Sequence, residues 1–306
     1  MNIKELGYKD TKFVSGHRAC AGCGFPQIVR TILNSTDKRV VVANATGCLE
    51  VVSTIYPFSS WKVPYMHSVF GNASSTISGI ESAYKVLKKK NKIKNDIKFL
   101  AIMGDGGCSD IGLQSLSGAL ERGHECVYVQ YANGAYQNTG VQRSSETPLL
   151  SNTTTTPVGK VHRGKEEMKK DIVKIVAAHN IPYIAQASMA FPEDLSEKAK
   201  KAFETKGPSF INVIQPCVPG WKIDTSINIK LSRLAVETGA WPLFEIENGK
   251  FKLNYVPEKL KPVKEYLKLQ GRFKHLNNKE IERIQKIVNK EWEYLKKGDF
   301  WGAREY

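Results

Sequence analysis

Two groups of side chains in this sequence have the types and spacing to do chemistry. The first is Asp105 with Asn133, 28 positions apart, each following a short apolar run. A carboxylate and an amide oxygen are hard donors of the kind Mg²⁺ takes, with phosphate and water completing its shell. Gly104, Gly106 and Gly107 surround Asp105. They allow a tight turn and close backbone approach to a ligand, and turn and helix-terminal N–H groups suit a diphosphate. The second group is Cys20, Cys23, Cys48 and Cys217: a C-x2-C, then 24 residues, then Cys48, then a distant Cys217 beside prolines. Four thiolates from neighbouring turns suit zinc or a [4Fe–4S] cluster, and the spacing does not choose between them. Cys126 lies in an apolar run and reads as core; Cys108 sits in the glycine-rich turn and could line the site.

The elements that must position these groups are legible around them. Ile97 to Met103 is an apolar run of buried-strand length ending at Gly104. Ile111 to Arg122 has apolar residues at helical spacing, stopped by Gly123. Cys126 to Tyr131 is a second strand, followed by Ala132-Asn133-Gly134. In such a strand–turn–helix–strand–turn unit both turns fall at the carboxyl ends of parallel strands, where open α/β sheets bind ligands.

Upstream, residues 1–19 show no clear periodicity, Pro26 opens a helix through Leu33, and Arg39 to Ala45 is a strand leading to Thr46-Gly47-Cys48. Val51 to Tyr65 reads as irregular, and residues 66–72 lead into a small-residue helix over 73–90. Downstream, 142–164 is a long Ser/Thr/Pro loop, of a length that is usually functional or interfacial. Helices are expected over 168–179 and 192–206, and strands over 183–187 and 209–215. The strand–helix alternation ends there. Phe244 to Tyr255 reads as a hairpin turning at Asn248-Gly249, and Asn278 is expected to cap a terminal amphipathic helix over 279–297.

At 306 residues, 41% hydrophobic and 25% charged, the chain suits one α/β domain, or one plus an appendage. The net charge of +15 is spread over Lys-rich stretches at 88–90, 165–174 and 259–274. These fit solvated helix faces or docking onto acidic partner proteins. No basic module interleaved with aromatics points to nucleic acid. No run reaches the length of a membrane span, and MNIKELGYKD lacks the apolar core of a signal peptide, so a cytoplasmic protein is expected. In a reducing compartment, six cysteines favour metal or cluster ligation over disulfides.

The longer string SDIGLQSLSGALERGH…YANGAYQNTGVQRSSETP…TTTTPVGK, with CAGCG, ATGCLEVVS, Leu231 to Gly239 and EYLKLQGRFKHL, resembles the beta subunits of pyruvate:ferredoxin oxidoreductase (pyruvate synthase). These belong to the 2-oxoacid:ferredoxin oxidoreductase superfamily. The resemblance implies an α/β fold with a doubly wound, mostly parallel sheet, the diphosphate-binding domain of thiamine enzymes. That domain would span 1–240, with a C-terminal hairpin and helical extension over 241–306. The implied cofactors are thiamine diphosphate, Mg²⁺ and a [4Fe–4S] cluster. Asp105, Asn133 and the Ala135 carbonyl match the Mg²⁺ ligands. Phe25, Gly47, Cys48, Gly104 to Gly107, Gly134, Tyr136, Gln137 and Asn138 match cofactor-proximal positions, Asn138 beside the reacting carbon. Cys20, Cys23, Cys48 and Cys217 match the cluster ligands; zinc, without redox chemistry, could not accept the electrons of such a reaction. The implied activity is oxidative decarboxylation of pyruvate with coenzyme A, the electrons leaving through the cluster to ferredoxin. The Glu that activates the pyrimidine, and most substrate contacts, would come from a separate alpha subunit, beside gamma and ferredoxin-like delta subunits.

The match departs from the family pattern at three acids. Where those beta subunits read YDNEAYMNTG, this chain has Ala132 and Gly134 in place of Asp and Glu, and Gly71 stands for the Glu of FEN. The expected CPTGW is Cys217-Val218-Pro219-Gly220-Trp221. Losing acids makes a site more positive, which could favour a dianionic substrate such as oxalate over pyruvate. A reading of another class is a metal or cluster scaffold subunit without catalysis of its own.

Overall fold

The computed structural model describes residues 3–8 and 10–302; the outer limits of the expected segments, residues 1 and 306, lie outside them. The chain runs α1 (Ile3–Tyr8), α2 (Phe25–Asn34), β1 (Arg39–Ala45), α3 (Cys48–Ser53), β2 (Tyr65–Ser68), α4 (Ala73–Lys89) and β3 (Ile97–Met103). It continues with α5 (Asp105–Ser109), α6 (Leu113–Glu121), β4 (Val127–Ala132), α7 (Ile172–Ala177), β5 (Tyr183–Ser188), α8 (Pro192–Glu204) and β6 (Ser209–Ile214). The last part is α9 (Val218–Trp221), α10 (Asn228–Glu237), the hairpin β7 (Phe244–Glu247) and β8 (Lys250–Leu253), α11 (Val263–Lys268) and α12 (Asn278–Lys296).

The strands form one sheet in the order β2-β1-β3-β4-β6-β5-β7-β8. The first six are parallel, and the hairpin adds two antiparallel strands at one edge. This is the mostly parallel sheet expected. β4, β5 and β6 are buried along their whole length, as strands covered on both faces must be. α2 and α8 cover one face; α4, α6 and α7 cover the other. In α2, Ile28, Val29, Ile32 and Leu33 fall on one side and are buried, each such side chain stabilising by roughly 1.5–3 kcal/mol. A third apolar cluster joins α10, α11 and α12 around Trp221, Trp241 and Phe273. Among the described residues no helix is long and apolar enough to cross a membrane.

β1 and β3 are neighbours, and the chain leaves β1 toward β2 on one side and β3 toward β4 on the other. The crevice at the carboxyl ends of β1 and β3 is therefore a topological switch point, where such sheets bind ligands.

Several local expectations change. Tyr65–Ser68, expected as part of irregular and lead-in segments, is the edge strand β2. The helix expected over 168–179 starts at Ile172, because Asp171 caps it by accepting from the Lys174 N–H at 3.1 Å. The terminal helix is capped by Asn277 and not Asn278: Asn277 accepts from the Glu280 N–H at 3.0 Å, and Glu280 accepts from the Asn277 N–H at 2.8 Å. The hairpin turn is at Asn248-Gly249, with φ of 49° and 77°, the left-handed pair that a two-residue hairpin turn demands.

Candidate functional site

The switch-point crevice is built on Tyr131, near the end of β4. Its side chain is buried and meets the Phe25 ring edge-on, centroids 4.6 Å apart. Gly47, after β1, and Gly104, after β3, both lie against this ring. A Cβ at either would sit 2.8 Å from a Tyr131 side-chain atom, the hydroxyl for Gly47 and a ring carbon for Gly104. The two glycines thus bring both turns down onto one aromatic floor, with Cys48 opening α3 on one side and Asp105 opening α5 on the other.

Asp105 is 2% exposed and Asn133 3%. Asp105 Oδ1 accepts from the Asn133 N–H at 3.1 Å, and Oδ2 accepts from the Ser144 hydroxyl at 2.8 Å. Burial, then the nearby Glu146 carboxylate, push the Asp105 carboxyl up to about 7. Glu146 is 1% exposed and is held by Gln130 at 2.6 Å, by the Ser109 hydroxyl, and by Lys169 at 3.6 Å. The Asn133 carbonyl accepts from Gln137 at 2.8 Å and from the Trp221 indole at 2.6 Å. Its side-chain Oδ1 is buried and has no hydrogen-bond partner, and neither has Gln137 Oε1 in the same turn. A buried acceptor without a partner is costly. A hard cation beside an ionised Asp105 would satisfy Asn133 Oδ1, so these residues fit Mg²⁺.

The other expected cofactor residues surround this pair. Gly106 and Gly107 are buried in α5, and Ala135 is buried in the turn. Tyr136 donates to Asp110 at 2.7 Å and packs near Phe70. Gly134 takes a φ of 74°, where glycine is favoured. Asn138 is exposed at the lip of the turn.

The four cysteines come from three places. Cys20 and Cys23 flank a turn closed by the Cys23 N–H to the Cys20 carbonyl at 3.0 Å; Cys48 starts α3 and Cys217 caps α9. Cys20 is exposed, Cys23 and Cys48 are half-buried, and Cys217 is buried. Burial pushes Cys23 and Cys48 up to about 12 and Cys217 to about 11. Cys48 also senses Cys217, Cys23 and Cys20, so the four form one neighbourhood. Yet among the described residues no three His, Cys, Asp or Glu side chains converge to hold a single ion. Four neighbouring thiols are the donor set of either zinc or a [4Fe–4S] cluster. The Gly220 N–H points at Cys217 Sγ at 3.4 Å and the Gln215 amide at Cys23 Sγ at 3.8 Å, the kind of donor that tunes cluster sulfur. Cys108 and Cys126 lie apart in the buried core on the opposite sheet face.

Sequence reasoning missed Tyr131, Glu146, Ser144, Trp221 and Arg272. It also missed Lys165, which is 1% exposed and donates to the carbonyls of Ser145, Thr147 and Met168, tying the 142–170 loop behind Asp105. The contacts that bring them to the site reach tens of residues away, as from Ser144 to Asp105 and from Trp221 to Asn133. The only available signal was that 142–164 is too long to be a plain connection.

Residues 45–213 match the thiamine pyrophosphate enzyme family's C-terminal TPP binding domain. The chain is 51% identical to pyruvate synthase subunit PorB of Methanocaldococcus jannaschii, over 94% of this chain and 97% of that one. It is 48% identical to PorB of Thermotoga maritima, over 96% and 95%. It is 46% identical to ketoisovalerate oxidoreductase subunit VorB of Pyrococcus horikoshii, over 94% and 93%. In fold it is similar to a chain of 2-oxoglutarate:ferredoxin oxidoreductase from Magnetococcus marinus, with a TM-score of 0.58 and 21% identity over 76% of this chain and 81% of that one.

Proposed function

Since the chain belongs to the family of thiamine-diphosphate-dependent 2-oxoacid:ferredoxin oxidoreductase beta subunits, we propose that it oxidatively decarboxylates pyruvate with coenzyme A and passes the electrons through a [4Fe–4S] cluster. Family membership sets aside the scaffold reading. The observation that carries the proposal is the meeting, at one switch-point crevice, of the Asp105–Asn133 pair with four neighbouring thiols.

Thiamine diphosphate supplies the carbanion chemistry of 2-oxoacid cleavage when bound. The chain's own residues bind and orient it. Asp105, the Asn133 side chain and the Ala135 carbonyl would hold Mg²⁺ on the diphosphate, with Ser144 fixing the carboxylate. Gly104 to Gly107, at the start of α5, Gly134, Tyr136 and Gln137 would line the diphosphate, and Asn138 at the open lip would face the reacting end. Phe25, Tyr131 and Gly47 keep the floor dry, and Cys48 would serve both cofactor and cluster. Cys20, Cys23, Cys48 and Cys217 would hold the cluster.

The pyrimidine-activating Glu and most substrate contacts would come from an alpha subunit, with gamma and ferredoxin-like delta subunits and ferredoxin downstream. Exposed apolar side chains near this edge, Val69 at 65% and Ile111 at 63%, fit coverage by a partner chain. Identities of 51% to a PorB and 46% to a VorB do not separate substrates. The complex, purified anaerobically with its native partners, should contain iron, sulfide and thiamine diphosphate, and should reduce a viologen with pyruvate only when coenzyme A is present. Preference for ketoisovalerate, or reduction by oxalate without coenzyme A, would overturn the pyruvate assignment. Zinc in place of iron would overturn the cluster.

A further inference from the structure

Arg272 is a buried cation that neither centre's expected ligand set includes. It sits in the turn Gly271–Phe273 after α11 and is 3% exposed. Its guanidinium carbon lies 3.6 Å from the centroid of the Trp221 ring and 5.0 Å from that of Phe273. Its Nε donates to Gln270 at 2.9 Å. Nη1 is pressed against Gly134, 2.8 Å from where a Cβ would stand. Trp221 ends α9, the helix that Cys217 caps, and its indole donates to the Asn133 carbonyl at 2.6 Å. The guanidinium is therefore one ring away from the Cys217 helix and one backbone away from the Asp105–Asn133 pair.

Burying a cation is expensive unless something compensates it. Two aromatic faces, Gln270 and the Tyr266 hydroxyl compensate part of the cost. Among the described residues no carboxylate forms an ion pair with Arg272; the acids that feel its charge are Tyr266, Asp105 and Cys217. In a site of low dielectric, a charge that no carboxylate neutralises acts strongly on whatever lies nearby.

We propose that Arg272 is a positioning residue whose charge raises the reduction potential of the cluster held at Cys217. Reduction adds a negative charge to the cluster, and a fixed cation beside it favours that state. This rests on the cluster assignment made above.

The test is an EPR-monitored redox titration of the assembled complex, with iron and sulfide assayed beside it. The beta-chain signal is identified as the one lost in Cys20→Ser. Arg272→Gln should lower the reduced-to-oxidised ratio at fixed poise about tenfold, a midpoint shift of about 59 mV for one electron. Arg272→Lys, which keeps the charge, should recover most of it. If Arg272→Gln does not assemble, Arg272→Met carries the same expectation. An unchanged midpoint in the neutral variants overturns the proposal, and so does an equal fall in the Lys variant, which would mark a role in packing alone. Wild-type complex without iron would instead sink the cluster reading on which the proposal stands.

Discussion

Asp105 is held by two donors before any cation arrives, and this separates ligation from orientation. Of the two carboxylate oxygens the Ser144 hydroxyl donates to Oδ2 alone, at 2.8 Å, and it also meets the Thr147 hydroxyl at 3.4 Å. Ser144→Ala should therefore weaken binding of Mg²⁺ with thiamine diphosphate about 10- to 100-fold while leaving the binding sites in number, as removal of a ligand-orienting partner does. Asp105→Ala should abolish binding. Titration calorimetry on the complex reads both, and equal losses would show that Ser144 has no orienting role of its own. The residues proposed to do chemistry were legible because their types and spacing are constrained: Asp105, Asn133 and the four cysteines all lie at strand ends and turns. Their supports were not. Tyr131 reads as one more apolar residue in a strand, and only its contact with two distant glycines shows that it sets the height of both turns. Glycine at position 134 has a local reason too, since its φ of 74° lies in the left-handed region.

At the scale of elements, α4 and α12 carry separate predictions. Glu81, on α4, is 1% exposed and accepts from Lys85 at 2.5 Å, His124 at 3.0 Å and the Glu125 N–H at 3.1 Å. Burial alone would raise its pKa, but these partners hold it below the usual carboxylate value. A carboxyl lower in the folded than in the unfolded chain stabilises fully above the unfolded value, and that stability is lost as pH falls through the folded one. Thermal melts between about pH 3 and 7 should show Glu81→Gln least stable relative to wild type at neutral pH, with the gap closing on acidification. A gap independent of pH would contradict this. Asn277→Ala should cost about 1 kcal/mol in denaturant unfolding, and Asn278→Ala a few tenths at most. The sequence offers two adjacent asparagines, and Glu280 completes a capping box only with the first; spacing to that Glu was the legible clue. β2 was not legible because a four-residue edge strand with a mostly exposed pattern has no alternation to detect. The central strands were, because burial on both faces makes them continuous apolar runs. The helices α9 and α10 follow one another with no strand between them, and α11 follows an antiparallel hairpin, so the alternating rule that found the parallel sheet could not find them.

At the scale of the molecule, the chain carries a net charge of +15, and the function proposed above has it deliver electrons to an acidic protein. Electrostatic steering of an acidic ferredoxin should then govern the rate of electron delivery. Raising ionic strength from about 0.05 to 0.5 M should slow reduction of an acidic ferredoxin by about tenfold or more, and leave reduction of a small viologen nearly unchanged. Equal slowing of both acceptors would place the effect within the complex and not at docking.

The cysteine corner also has a history. Cys20 and Cys217 stand nearly two hundred residues apart in the chain, and Cys217 reaches the corner only once β6 has taken its place between β4 and β5. At ribosomal speeds of about 5–20 residues per second, the Cys20–Cys23 pair emerges roughly 10–40 s before its last partner. For that time two thiols of the eventual set are held by a nascent chain that cannot yet enclose them. On the cluster reading proposed above, loading of the corner must wait until the sheet's final parallel strand is home, and a ribosome that stalls before β6 would leave a thiol pair open to oxygen and scavenging metals.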